Sequence, residues 1–208
     1  MIDIRYASIR SMDISNGEGI GVALFVQGCH FHCKNCFNPE TWDFNGGKEW
    51  TSETKEKFLD LIDRPYIKRV SLLGGECLAE ENLDDVLDLV TEINKRYNAP
   101  QYIDNTSGNK HNISTNNPDE IRLSLPNKTI WIYSGYKFED CLIKDKMCEE
   151  NVIRALRYEI IKQCDVLVDG RYIDSQQDIT LAFRGSSNQR VIDIQKTLNT
   201  NKVVLYIE

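Results

Sequence analysis

The sequence predicts an α/β fold with a mainly parallel sheet. Short apolar segments with the composition of β-strands alternate along the chain with apolar stripes at helical spacing. Strand–helix–strand units of this kind form right-handed crossovers between parallel strands. A length of 208 residues is enough for one sizeable core, and we therefore expect a single domain over residues 1–208.

The first three predicted elements are a strand, a helix and a strand. An apolar run over Ile20–Val26 predicts a buried strand. Thr51 and Ser52 offer an N-cap for the helix that follows. The apolar face of this helix consists of Phe58, Leu59, Leu61 and Ile62. Arg69–Leu73 predicts the second strand, which ends in a Gly-Gly-Glu segment at Gly74–Glu76.

The strongest helical stripe in the chain comes next. Its members recur at three- and four-residue steps, and they are Leu83, Val86, Leu87, Val90, Ile93 and Tyr97. β-Branched and aromatic residues then predict a third strand over Thr129–Tyr133. The intervening residues, from about 98 to 127, are rich in Asn, Ser, Thr, Gly and Pro, which predicts a loop or a small added excursion.

The last predicted elements are one helix and two strands. The helix has an apolar stripe that consists of Val152, Ile153, Leu156 and Ile160. Asp165–Val168 predicts a fourth strand, and Val203–Ile207 predicts a terminal one. The alternation of strands and helices is thus kept as far as the fourth strand.

Composition narrows the class of protein. The apolar content of 41% is ordinary for a globular protein, and the net charge of −7 argues against a general nucleic-acid binder. The N-terminal residues lack the apolar core of a signal peptide, and no apolar run approaches the roughly 18 to 20 residues that span a bilayer. We therefore expect a cytoplasmic protein with neither a nucleic-acid nor a membrane partner.

Three of the seven cysteines are clustered and predict a metal site. Cys29, Cys33 and Cys36 form a C-x3-C-x2-C motif directly after the first strand. Three close thiols favour a [4Fe–4S] cluster with one iron open to a substrate. A closed zinc site with His30 or His32 as the fourth ligand is the alternative. The remaining cysteines, Cys77, Cys141, Cys148 and Cys164, are scattered and are interpreted as packing thiols.

Six segments carry a resemblance to a known family and keep their order along the chain. They are Asn16–Gly19, Leu24–Cys29, Cys36–Trp42, Trp131–Tyr136, Val166–Arg171 and Arg184–Gln189. With the cysteine motif and the Gly74–Glu76 strand end, they resemble the radical S-adenosylmethionine (SAM) superfamily. Ser134–Tyr136 and Arg184–Gln189 are similar to the branch that activates anaerobic ribonucleoside-triphosphate reductases.

The resemblance implies a cofactor set and a fold. It implies that Cys29, Cys33 and Cys36 hold a [4Fe–4S] cluster whose open iron binds SAM, without further catalytic side chains. It also implies a compact, partial and open (β/α) barrel of the radical SAM type with mainly parallel strands. An open side of this kind suits a protein substrate.

The resemblance implies that the end of the cysteine motif binds the adenine of SAM. Asn35, Cys36 and Phe37 form this segment. Phe37 offers an apolar face to the base, and backbone polar groups fix the edge of the base. The alternative interpretation of Phe37 is a core aromatic residue.

Three strand ends supply the other implied SAM contacts. Gly74 and Gly75 let the backbone approach the methionine moiety, and Glu76 accepts a hydrogen bond from its ammonium group. Ser134 and Asp169 end the two following strands, where ligands bind in parallel-sheet folds. Either of these last two residues has a helix cap as its alternative role.

Three positions depart from the family pattern. The family usually has Pro at the position of Glu18, Arg at the position of Gly21 and Asp at the position of Glu76. Glu in place of Asp keeps the carboxylate. The Asn-rich segment over about 98–127 has no counterpart in the family pattern.

The resemblance implies a function and two partners. The chain would generate a glycyl radical on the large subunit of an anaerobic ribonucleoside-triphosphate reductase, with an electron donor such as flavodoxin. Two enzymatic alternatives are activation of another glycyl-radical enzyme, such as pyruvate formate-lyase, and a reaction like that of 7-carboxy-7-deazaguanine synthase. A non-catalytic zinc-binding adaptor is the alternative from another class of protein.

Overall fold

An open mixed sheet of eight strands forms the centre of the molecule. The computed structural model describes residues 4–99, 101–103, 110–112, 127–142 and 149–207. The strands are β1 (Arg5–Asp13), β2 (Gly21–Val26), β3 (Lys48–Glu49), β4 (Arg69–Gly74), β5 (Gln101–Ile103), β6 (Lys110–Asn112), β7 (Thr129–Ser134), β8 (Val166–Asp169), β9 (Arg190–Asp193) and β10 (Leu205–Ile207). The main sheet has the order β10-β9-β8-β7-β4-β2-β1-β3, while β5 and β6 pair separately.

The centre of the main sheet is parallel and its flanks are antiparallel. The pairs β2/β4, β4/β7 and β7/β8 are parallel, so the predicted crossovers in the middle of the chain are confirmed. The pairs β1/β2, β1/β3, β8/β9 and β9/β10 are antiparallel. The expectation of a mainly parallel sheet therefore holds for the four central strands alone.

The helices cover one face of this sheet. They are α1 (Ser52–Ile62), α2 (Leu83–Ile93), α3 (Glu149–Ile161) and α4 (Ile194–Thr200). Alternate strand residues such as Leu24, Leu72 and Ile132 belong to the same buried cluster as Phe58 and Val90 of the helices. The largest core of the protein lies between these two layers.

The opposite face of the sheet is covered by loops. Its strand residues form two smaller clusters, one around Phe25 and Leu73 and one around Trp131 and Val168. These are the alternate positions of the same strands that face the helices. Phe25, Leu73 and Val168 on this face also line a cavity.

The predicted helices form, with local differences. Thr51 caps α1 as predicted, since its Oγ1 accepts a hydrogen bond of 3.2 Å from Thr54 N. The stripe of α2 continues into a π-helical turn over Asn94–Asn98, where Tyr97 is buried and donates to Leu59 O. The prediction for α3 was wrong at Val152, which is 62% exposed.

The sequence did not predict β1, β9 or α4. β1 mixes polar and apolar residues without regular alternation, and only Asp13 of this strand is fully buried, so its pairing with β2 depends on the tertiary structure. The terminal strand forms over Leu205–Ile207 and runs antiparallel to β9.

Most of the predicted excursion over 98–127, and Cys148, lie outside the described residues. Within the described part, none of the helices combines the length and apolar character needed to cross a membrane.

Candidate metal centre

A cavity of about 520 Å³ lies at the carboxyl ends of the four parallel strands. Segments that follow β2, β4, β7 and β8 all contribute to its lining, as expected for ligand sites in parallel sheets. The predicted residues in the lining are Cys29, Cys33, Cys36, Phe37, Gly74, Gly75, Glu76 and Ser134. The fold therefore brings most of the predicted site together.

The cysteine loop curls over this cavity because its backbone enters left-handed conformations. His32 and Asn35 have φ values of 44° and 55°, an uncommon region for residues other than glycine. Cys29 N donates to Trp42 O at 3.0 Å, and this bond anchors the start of the loop. All three cysteines of the motif are free, half-buried and directed at one space.

Two thiols of this loop, Cys29 and Cys33, have raised pKa values. Burial raises the pKa of Cys29, and the nearby Glu76 and Cys33 raise it further. Burial likewise raises the pKa of Cys33, with a contribution from Cys36. Thiolates are the form that binds metal, so the cationic iron of a cluster compensates the unfavourable ionisation. The donor set therefore fits a cluster with three cysteine ligands.

The two histidines of the loop have other partners. His30 Nε2 lies 2.9 Å from Glu81 Oε1, and its ring lies 4.5 Å from that of Phe44. The His32 ring lies 4.7 Å from that of Trp42. Among the described residues, no three His, Cys, Asp or Glu side chains are arranged to hold a single metal ion.

The glycines after β4 allow two backbone segments to touch. Gly74 has a φ of 109°, and a Cβ on Gly75 would lie 2.4 Å from Gly28 O. Gly75 N donates to Val26 O, and Glu76 N donates to Gly28 O at 2.7 Å. Any larger side chain at Gly75 would separate the end of β4 from the cysteine loop.

Glu76 is a buried carboxylate that joins the ends of β4 and β7. Its Oε1 accepts hydrogen bonds from Leu78 N at 2.9 Å and Ser134 Oγ at 2.8 Å. Its Oε2 accepts from Gly135 N at 2.7 Å. Burial raises the pKa of Glu76, although these hydrogen bonds oppose the shift. Since a carboxylate has about four acceptor positions, Glu76 has room for one more donor.

The other predicted residues differ in their access to the cavity. Phe37 is 60% exposed and stands at the rim, so it is not a core aromatic residue. Asn35 is not part of the lining and donates to Asp174 Oδ1 at 3.0 Å. Asp169 also lies outside the lining, where it is buried and accepts from Phe138 N and Arg190 Nε.

Several polar residues of the cavity were not among the predicted site residues. Arg10, Asn16, Tyr133, Arg171 and Arg184 all belong to the lining. Tyr133 Oη and Arg184 Nε are buried without a hydrogen-bond partner among the described residues. Buried polar atoms are normally satisfied, so both atoms suit a polar ligand. Arg10 lies on a strand that the sequence did not predict, which explains its omission.

A buried arginine occupies the space beside Gly21. Arg69 is the register partner of Gly21 in the β2/β4 pair, and a Cβ on Gly21 would lie 2.8 Å from Arg69 Cζ. The Arg69 guanidinium pairs with Asp13 and donates to the backbone carbonyls of Asn16 and Glu18. A guanidinium from the neighbouring strand thus fills the space beside Gly21.

Comparison with known proteins gives consistent results. The family model described as "4Fe-4S single cluster domain" matches residues 15–119 and 118–192. The anaerobic ribonucleoside-triphosphate reductase-activating protein of Salmonella typhimurium is 31% identical over 190 residues, which cover 90% of this chain and 97% of that protein. The protein of the same name from Escherichia coli K12 is 30% identical with the same coverage. That of Enterobacteria phage T4 is 29% identical over 90% of this chain and 93% of its own length.

These matches agree with the site geometry. The matched residues include the cysteine loop, the strand ends and the 184–189 segment. The cysteine spacing left iron and zinc open as alternatives. Because the matching family model describes a four-iron cluster, it supports iron. This chain belongs to the 4Fe-4S single cluster domain family and, within it, to the family of the anaerobic ribonucleoside-triphosphate reductase-activating proteins.

Proposed function

We propose that this protein is a radical SAM activase that generates the glycyl radical of an anaerobic ribonucleoside-triphosphate reductase. One observation carries the proposal. Three free cysteines and the ends of β4 and β7 surround one cavity, in a chain related over 90% of its length to proteins named as activators of that reductase.

The cavity supplies the setting for SAM cleavage. Cys29, Cys33 and Cys36 would hold a [4Fe–4S] cluster, which would supply the electron for reductive cleavage of SAM and thereby the means to abstract a hydrogen atom from a glycine. The protein binds SAM, orients the S–C5′ bond and excludes water. The apolar side chains of Phe25 and Leu73 form part of the cavity wall and help to exclude water.

The segments after β4 and β7 bind the methionine part of SAM in this proposal. Gly74 and Gly75 leave the backbone accessible, and the free acceptor position of Glu76 receives the ammonium group. Ser134 donates its hydroxyl to Glu76 and accepts from Tyr136 N, so it holds the carboxylate in place beside the SAM carboxylate or ribose.

The cysteine loop binds the adenine part of SAM in the same proposal. Phe37 presents its ring at the rim, beside the backbone of Cys36. Asn35 lies outside the cavity lining and stabilises the loop through its hydrogen bond to Asp174. Asp169 similarly supports the end of β8 through its ion pair with Arg190.

Further parts of the proposal concern partners and architecture. The glycine of the reductase must approach SAM almost to contact, and the open sheet supports access of a protein chain. We retain flavodoxin as the electron donor, a single domain over residues 1–208 and a partial-barrel curvature of the sheet as parts of the proposal. The cytoplasmic location stays a prediction from the sequence.

Electron paramagnetic resonance (EPR) tests the proposal directly. We expect the iron- and sulfide-reconstituted, dithionite-reduced protein to give a [4Fe–4S]⁺ signal that shifts when SAM is added. Addition of the reductase should then produce a glycyl-radical signal. A glycyl radical on pyruvate formate-lyase alone would favour the other activase, and tightly bound zinc without iron would favour the adaptor.

Cysteine variants identify the ligands. Changing Cys29, Cys33 or Cys36 to Ala should abolish SAM-dependent formation of 5′-deoxyadenosine, because each thiolate holds one iron. Cys141→Ser is the matched control, since Cys141 is buried outside the cavity lining and its change should leave the iron content intact. Full activity of any variant in the motif would remove that cysteine from the ligand set.

A further inference from the structure

A guanidinium lies against the cysteine loop, shortly after the end of β8. Arg171 lines the cavity together with Cys33 and Phe31. Its Cζ lies 4.1 Å from the centroid of the Phe31 ring, which is the geometry of a cation–π contact. Phe31 stands between Cys29 and Cys33 in the sequence. This contact therefore holds a positive charge against the segment that joins two of the cluster ligands.

Both partners of this contact are fixed in place. Asn188 Nδ2 donates to Arg171 O at 2.8 Å, which holds the backbone of the arginine. The Phe31 ring packs edge-on against that of Tyr136, with centroids 4.8 Å apart. A Cβ on Gly135 would lie 2.3 Å from Phe31 Cε2, so the phenyl ring has no room to move in that direction.

The residues that follow Arg171 also contact the cysteine loop. The ring centroid of Tyr172 lies 5.1 Å from that of Phe37. Asp174 Oδ1 accepts a hydrogen bond of 3.0 Å from Asn35 Nδ2. The segment that carries Arg171 is thus tied to the cysteine loop at several points, and the charge stays near the ligands.

The charges around the cysteines oppose one another. Burial and Cys36 raise the pKa of Cys33, and the positive charge of Arg171 acts against this shift. Burial raises the pKa of Cys29, and the carboxylate of Glu76 raises it further. Reduction of an iron–sulfur cluster adds negative charge, and its potential depends on the charges around it. A carboxylate at this site disfavours reduction, whereas a guanidinium favours it.

We propose that Arg171 is a charge-compensating residue that makes the [4Fe–4S] cluster easier to reduce. This inference rests on the proposed function, because SAM cleavage there begins with a reduced cluster. It goes beyond that function in giving one side chain outside the ligand set control of the potential. The guanidinium is charged at all accessible pH values, so its effect needs no titration.

The variant Arg171→Gln removes the charge and keeps a polar side chain. Arg10→Gln is the matched control, since Arg10 lines the same cavity and its Cζ lies 4.4 Å from the centroid of the Phe25 ring. Arg10 is, however, paired with Asp13 at 3.7 Å and lies opposite Ala23, in the middle of β2. An EPR-monitored redox titration of the reconstituted proteins, without SAM or reductase, measures the midpoint potential.

We expect Arg171→Gln to make one-electron reduction about threefold to tenfold less favourable, which lowers the midpoint potential by roughly 30 to 60 mV. Arg171 is exposed to solvent, and screening keeps the effect in this range. Arg171→Lys should recover part of the shift, because it keeps the charge without the planar guanidinium. Arg10→Gln should leave the potential unchanged, and all of these proteins should contain equal amounts of iron.

Three results would overturn this role of Arg171. The first is an unchanged potential in Arg171→Gln, even if its affinity for SAM falls. The second is an equal shift in Arg10→Gln. The third is loss of the cluster from Arg171→Gln, which would indicate a role in assembly instead. If the unchanged protein holds a cluster but cleaves no SAM, the proposed function fails while the effect of Arg171 on the potential is still measured. The two failures are therefore distinguishable.

Discussion

Arg69 shows how one buried side chain organises a loop of the site. Its guanidinium is fully buried and pairs with Asp13, also buried, at 2.9 Å. It also donates to backbone carbonyls of the loop that precedes β2. Asn16 of that loop contributes to the cavity lining. A charge on β4 thus positions a loop that is distant from it in sequence.

Removing this charge should destabilise the protein. Arg69→Gly leaves the Asp13 carboxylate buried without its partner, which costs about 3–5 kcal/mol of the free energy of unfolding. Urea unfolding measures the loss. Lys57→Met, which removes an exposed charge, is the control, and an equal loss of stability in the two variants would contradict a specific role of the buried ion pair.

The same ion pair predicts a pH dependence. Burial raises the pKa of Asp13, but hydrogen bonds from Arg69 and Asn16 bring it below its ordinary value. A carboxyl group with a lowered pKa in the folded state stabilises the protein above its unfolded pKa, near 3.9. This contribution should be lost as the pH falls through the folded pKa of Asp13. In urea unfolding, Arg69→Gly should show less loss of stability below pH 4 than the unchanged protein; an equal loss would place the pH dependence elsewhere.

At the scale of elements, the polar 184–189 segment is a brace for the end of β8. Asn188 Nδ2 donates to Arg171 O at 2.8 Å, and Ser186 Oγ accepts from Ile173 N at 3.2 Å. With the bonds of Gln189, these contacts join two loops of the cavity wall. The sequence identified this segment as typical of the family. The structure shows that it stabilises the loop after β8 through these hydrogen bonds.

Gln189→Leu should release the loop over residues 177–186 from this brace. The substitution keeps side-chain volume but removes hydrogen bonds to Gly170, Gly185 and Ser186. Amide exchange over residues 170–189 should accelerate about tenfold or more, because local opening becomes easier. Gln195→Leu is the control, since Gln195 donates to backbone oxygens away from the cavity. Equal exchange in both variants would mean that the brace does not hold the loop.

At the scale of the whole molecule, the metal site and the main core are separate. The three cysteines of the motif are half-buried in a loop, whereas the largest buried cluster lies between the sheet and the helices. We therefore expect the sheet to pack, and the fold to persist, whether or not the cysteine loop holds iron.

Cluster removal should consequently leave the fold intact. The protein without iron should retain its far-ultraviolet circular dichroism and a cooperative unfolding transition. Limited proteolysis should become faster within residues 28–38, since the ligands then lose their shared partner. The reconstituted protein is the control. Loss of the transition on iron removal would show that the cluster holds the sheet together.

The sequence by itself determined the four central strands, the Thr51 cap and the cysteine loop, because each depends on local periodicity, capping or spacing. The tertiary structure alone decided that β1 and β9 flank these strands, since neither has a strong apolar pattern. It also decided the Glu76 contacts with Ser134 and Gly135, and the position of Arg69 beside Gly21. These contacts join residues far apart in sequence, so short-range patterns contain no information about them.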